Sequence, residues 1–154
     1  MRVLISADHR GISAARHLFE HLRSREIDAE LIGPSDGTPC DYPERAFEVG
    51  SAVARGDADA GVLVCGTGIG MSIAANKVRG VRAAVVHDEL TAQLSKTHNN
   101  ANIVCLSADL LGHHLMDKIV DAWLDAEFQG GRHARRIGKI EAIERGENPS
   151  QLTG

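Results

Sequence analysis

The residues of this sequence best suited to chemistry are Cys65-Gly66-Thr67-Gly68-Ile69-Gly70, a thiol followed by glycines at alternate positions. A thiolate can act as nucleophile or base. Glycines let the backbone turn sharply and let a ligand approach the main chain. The following Met71-Ser72-Ile73-Ala74-Ala75 suits a helix, and the first N–H groups of a helix lack intrahelical partners. Such groups favour a thiolate nearby, or an anion, or negative charge that develops during a reaction. Taken alone, a cysteine closing an apolar run is more often a packed thiol than a catalyst. Cys105 keeps that ordinary reading; the glycine loop is what sets Cys65 apart.

Other groups could join it. Asp8-His9-Arg10-Gly11 follows an apolar run, although Asp8 could simply cap the next helix. His98-Asn99-Asn100-Ala101-Asn102 offers a turn rich in side-chain donors and acceptors. Arg132 and Arg136 stand one helical turn apart, able to converge on one anion or to form a solvated basic face. His17 and His21 have metal-ligand spacing on a helix, but no third ligand accompanies them, so solvated helix residues are expected and no metal. The dinucleotide fingerprint fails, because counting from Gly66 its last glycine falls on Met71. The G-K-[ST] closure of an NTPase phosphate loop is absent.

These groups must be held by a scaffold, and the apolar runs define it. Arg2–Ala7 reads as a buried parallel strand, with helix over about 11–25 from Ile12, Ala15, Phe19 and Leu22. Ala29–Gly33 is a short strand, Pro34–Pro43 a turn-rich loop, and Glu44–Arg55 a helix. The run ending at Cys65 is the third strand, Val81–Val86 the fourth and Ile103–Leu106 the fifth. Helices are predicted over about 89–97, 109–128 and 132–145. The alternation predicts an α/β fold, a doubly wound five-stranded parallel sheet with helices on both faces. Ligands of such sheets bind beyond the strand ends. Loops 8–11, 65–70 and 98–102 are therefore expected at one sheet edge.

With 154 residues, the chain 1–154 reads as one domain with a polar tail over about 146–154. Its formal net charge of −4 and lack of a basic run argue against general nucleic-acid binding. Three cysteines, an odd number, suit a reducing compartment better than a disulfide framework. With no signal-peptide pattern and no membrane-length apolar run, a cytoplasmic protein without membrane contact is expected.

Together, Asp8-His9-Arg10-Gly11, Asp41-Tyr42-Pro43, the stretch Cys65–Lys77, His98–Asn102 and Gly130-Gly131-Arg132-His133 resemble type B ribose-5-phosphate isomerase. The allose-6-phosphate and galactose-6-phosphate isomerases are related to it. The likeness runs in order from Val3 to about Glu144. It implies a Rossmann-like α/β/α sandwich, a homodimer or dimer of dimers, a sugar-phosphate substrate, and no metal or cofactor. By the same resemblance, Cys65 is the base moving a proton between C1 and C2, and Thr67 assists transfer between O1 and O2. Amides of Gly66, Gly68 and Gly70 hold the enediolate oxygen. His98, with Asp8, opens the furanose ring. Tyr42 and Asn99 contact the sugar, while His9, Arg132 and Arg136 bind phosphate. The loop bearing His98 and Asn99 reaches the site from the neighbouring subunit. A non-catalytic sugar-phosphate binder would need the glycine loop but not the thiol.

One position departs from the family pattern. Asp109 stands where the family usually has an arginine. A carboxylate near phosphate must turn away or pair with a cation, and Arg10 or Arg135 is available for that. Alternatively, Asp109 merely occupies the first turn of the long helix.

Overall fold

The computed structural model describes residues 1–34 and 38–152. Part of the predicted 34–43 loop and the end of the polar tail lie outside the described residues. The strands are β1 (Arg2–Ala7), β2 (Asp28–Leu31), β3 (Ala60–Cys65), β4 (Ala83–Val85) and β5 (Ile103–Ser107). The helices are α1 (Ile12–Ser24), α2 (Tyr42–Arg55), α3 (Ile69–Ala75), α4 (Glu89–Asn99), α5 (His113–Leu124) and α6 (Arg132–Glu144). All strand pairs are parallel, in the order β2-β1-β3-β5-β4. This is the expected Rossmann-like α/β/α arrangement.

Strand alternation sorts the core into two layers. Val62 and Val64 of β3 join Val104 and Leu106 of β5 beneath α1 and α5, where Leu18, Leu22, Ile119 and Trp123 are fully buried. Leu63 and Cys65 point the other way with Cys105, under α2 and α3, against Val49 and Met71. Cys65 therefore faces the layer that carries Tyr42 and the glycine loop. Strand order reverses between β1 and β3, which places Asp8 and Cys65 at the crevice where open sheets bind ligands.

Several element boundaries differ from the sequence reading, and three of them bear on the site. Helix α5 begins at His113, not Asp109. The Asp109 N–H donates to Gly66 O at 3.1 Å and the Leu110 N–H to Ser107 Oγ at 3.1 Å, so the chain closes a turn before the helix starts. Asp109 is thus not a first-turn acid. Strand β4 is only Ala83–Val85, and the Asn76 side chain brackets its first residue, accepting from Ala83 N and donating to Ala83 O. Helix α4 runs on through His98 and Asn99, ending at Asn100 in the left-handed region with φ 46°.

Candidate active site

Two strand ends build the first half of the site. The Cys65 Sγ accepts the Gly68 N–H at 3.1 Å, and the thiol lies buried at the end of β3. Gly68 can fold back this way because its φ of +78° suits glycine, and a Cβ there would stand 3.1 Å from Cys105 O of β5. The Ile69 N–H meets Thr67 Oγ1 at 3.3 Å, with Thr67 exposed. Two of the loop amides are therefore turned onto their own thiol and hydroxyl. Cys105, by contrast, is wholly buried, and burial pushes its thiol well above the ordinary range.

Asp8 and Tyr42 close in from either side. The Asp8 carboxylate is buried, and its Oδ1 accepts from the N–H groups of Arg10 at 2.9 Å and Gly11 at 3.1 Å. It holds the β1–α1 turn with one oxygen. The Asp8 N–H in turn donates to Val64 O at 3.2 Å, which ties this turn to the residue before Cys65. The Tyr42 ring crosses Gly70 so closely that a Cβ there would meet it at 2.7 Å. His9 is exposed and lines a cleft of about 330 Å³ with Pro39, Cys40, Asp41 and Glu44.

The second half stands at the opposite edge of the sheet. The Asn102 carbonyl accepts from Gly61 N at 3.0 Å, at the beginning of β3, whereas Cys65 pairs with Ser107 at the end of β5. Four residues of strand separate the two levels, roughly 13 Å at the usual rise. Residues 98–102 precede a parallel strand and so cannot share an edge with loops that follow one. The expectation of a single edge fails for this loop. His98 stacks on His133 with ring centroids 4.2 Å apart and planes 7° from parallel. Helix α6 begins there, so Arg132 and Arg136 belong to this half, both exposed, along with exposed Asn99. His133 is buried, and that burial holds its pKa down, with further lowering from His98, Arg132 and Arg136.

Within the described chain, then, Asp8, His9, Tyr42, Thr67 and Cys65–Gly70 gather at one edge, and His98, Asn99, Arg132 and Arg136 at the other. His17 and His21 pair with Asp117 and Asp121, each at 2.8 Å. Among the described residues no group of three or more metal-ligating side chains converges, all three cysteines are free, and no helix is long and apolar enough to cross a membrane.

A model of the family described as Ribose/Galactose Isomerase matches residues 3–140. The chain belongs to that family. It is 41% identical over 147 residues to ribose-5-phosphate isomerase B of Escherichia coli, covering 96% of this chain and 99% of that protein. A solved structure of ribose-5-phosphate isomerase B from Mycoplasma genitalium with bound ribulose-5-phosphate superposes with a TM-score of 0.88 at 44% identity, covering 94% and 96% of the two chains. A protein of Pectobacterium atrosepticum named D-erythrulose-4-phosphate isomerase is 38% identical over 146 residues, 94% of this chain and 95% of that one.

His133 was given no role by the sequence reading of the site, although it stands between Arg132 and Arg136. Of the two cations that the sequence offered for Asp109, the structure pairs Arg10, with Arg10 Nη2 at 2.6 Å from Asp109 Oδ2. That bond, more than the Asp109 charge itself, keeps the guanidinium firmly protonated, with smaller support from Asp8 and Cys65.

Proposed function

We propose that this isomerase interconverts D-ribose 5-phosphate and D-ribulose 5-phosphate through an enediolate, with Cys65 as the base. The observation that carries the reading is the Cys65 Sγ accepting a loop amide at the strand-order reversal, within a glycine loop crossed by Tyr42. The thiolate takes the weakly acidic proton from the carbon beside the carbonyl and returns it to the neighbouring carbon. The negative charge passes to an oxygen, which the remaining loop amides of Gly66 and Gly70 receive. The Thr67 hydroxyl relays the proton between O1 and O2. His98 with Asp8 opens the furanose ring, and Tyr42 and Asn99 bind sugar hydroxyls. His9, Arg132 and Arg136 hold the phosphate away from the reacting carbons, where arginines offer paired donors. These proton transfers call on side chains and amides alone.

The active unit in this reading is a homodimer, or a dimer of dimers, of one-domain subunits in the cytoplasm. Each site joins the Cys65 half of one subunit to the His98 half of the other. Exposed isoleucines flank both halves, Ile69 and Ile73 on α3 and Ile140 and Ile143 on α6. An interface that covers them brings the halves together and removes apolar surface from water. A coupled assay across pentose, hexose and tetrose phosphates tests the substrate. Turnover of ribose 5-phosphate above the others is expected. A clear preference for another sugar would favour the second reading, isomerisation of a different phosphorylated aldose, which the carboxylate of Asp109 keeps in view.

A further inference from the structure

The Arg10–Asp109 pair lies over Gly66, beside the proposed base. A Cβ at Gly66 would stand 2.9 Å from Arg10 Nε and 3.0 Å from Asp109 Oδ2, so the pair fills the space that any other side chain at 66 would take. Both partners are anchored through their backbones to the same site. The Arg10 N–H donates to Asp8 Oδ1 at 2.9 Å, and the Asp109 N–H donates to Gly66 O at 3.1 Å. Ser107 Oγ donates to that same carbonyl at 2.6 Å, which holds the floor beneath the pair. The two side chains remain open to solvent, 56% exposed for Arg10 and 40% for Asp109. Exposed ion pairs contribute little to stability, so holding the fold is a poor account of this one. The bond to Asp109 occupies a single N–H of a guanidinium that carries five.

We propose that Arg10 is a substrate-contacting cation of this site, aimed by Asp109, and that its guanidinium receives an anionic oxygen of the sugar phosphate at the rim of the Cys65 loop. The inference rests on the sugar-phosphate reading above. It accounts for a carboxylate at 109: Asp109 is neutralised by Arg10 and acts as a positioning residue for it, without touching substrate. Two oxygens have the required charge, one on the phosphate and one on the enediolate, and kinetics separates them.

The test uses the full chain in a coupled assay, wild type first. Wild-type protein that turns over no sugar phosphate would sink the substrate reading itself, before Arg10 is at issue. With turnover established, Arg10→Met should lower kcat/KM about tenfold or more, and Arg10→Lys should recover part of the loss. A loss confined to KM, matched by a rise in the inhibition constant of inorganic phosphate, assigns the contact to the phosphate. A loss in kcat with phosphate inhibition unchanged assigns it to the enediolate. Asp109→Asn should cost less, about threefold, and nothing more when added to Arg10→Met, because it works through Arg10. A folded Arg10→Met protein within twofold of wild-type kcat/KM would overturn the assignment. An undiminished Asp109→Asn effect in the Arg10→Met background would overturn the positioning role.

Discussion

The two sheet edges of this isomerase are built on different principles. At the edge that holds Cys65, position is set by backbone. Gly68 donates to the thiol, Val64 and Asp8 tie two strand ends together, and Tyr42 rests on a glycine that leaves it no slack. At the edge that holds His98, position is set by side chains at helix ends. His98 leans on His133, while Arg132 and Arg136 extend into solvent. The contrast suits the division of labour proposed above. Proton transfer needs a fixed geometry, whereas a phosphate can be gathered by long cations that settle on it as it binds.

The sharpest way to break this comparison is to remove the thiol. Cys65→Ala should lower kcat by about a thousandfold or more with the fold intact, while Cys105→Ala leaves kcat within about twofold. If a folded Cys65→Ala enzyme keeps most of its kcat, the base lies elsewhere. Next comes the division between subunits. Cys65→Ala and His98→Ala proteins, each inactive, should regain about a quarter of wild-type activity after subunit exchange, since half the dimers are mixed and each mixed dimer holds one intact site. Exchange demonstrated by mass spectrometry without any regain would argue that the halves never meet.

Smaller effects separate the edges further. Arg132→Ala and Arg136→Ala should each raise KM about tenfold and weaken inhibition by inorganic phosphate, with kcat changed much less. Unchanged values in both would return these arginines to an ordinary solvated face. Gly70→Ala pushes the Tyr42 ring from a contact of 2.7 Å, and KM should rise about fivefold. An unaltered KM would detach Tyr42 from the sugar. The smallest effect is on stability at the His98 edge. Burial holds His133 below its ordinary pKa, so between that lowered value and about 6.5 the unfolded chain takes up a proton that the folded chain refuses. This contribution is complete above about pH 6.5 and is lost as the pH falls below it. The drop in Tm on acidification should therefore be shallower for His133→Asn than for wild type. Parallel Tm curves would place the acid sensitivity in another group.

Most of the Cys65 edge was legible in the sequence, for a physical reason. Strands β1, β3 and β5 are buried on both faces and read as near-continuous apolar runs, so Asp8 just after β1 and Cys65 at the end of β3 mark the candidate ligand edge directly. The other edge was misplaced because its residues are polar and local. Nothing in His98–Asn102 says which end of a strand it adjoins, except that it comes before β5. The start of α5 misled for a similar reason. An acid ahead of an apolar stripe resembles a helix start, but Asp109 is drawn off by Gly66 O and Arg10. That last pairing joins residues 99 positions apart; charge alone offered Arg10 and Arg135 for it, and only the fold chooses between them.

The height of one sheet separates His98 from Cys65, and it has a consequence for the enzyme in dilute solution. Within one folded chain the two residues stand at opposite ends of the strands. Activity that needs both must follow the law of mass action between chains. Specific activity should then hold steady at high concentration and fall away as the protein is diluted toward its dissociation constant. A phosphate ligand, which in the proposed dimer binds across both chains, should move that fall to lower concentration, and a dilution series with and without inorganic phosphate would read the shift.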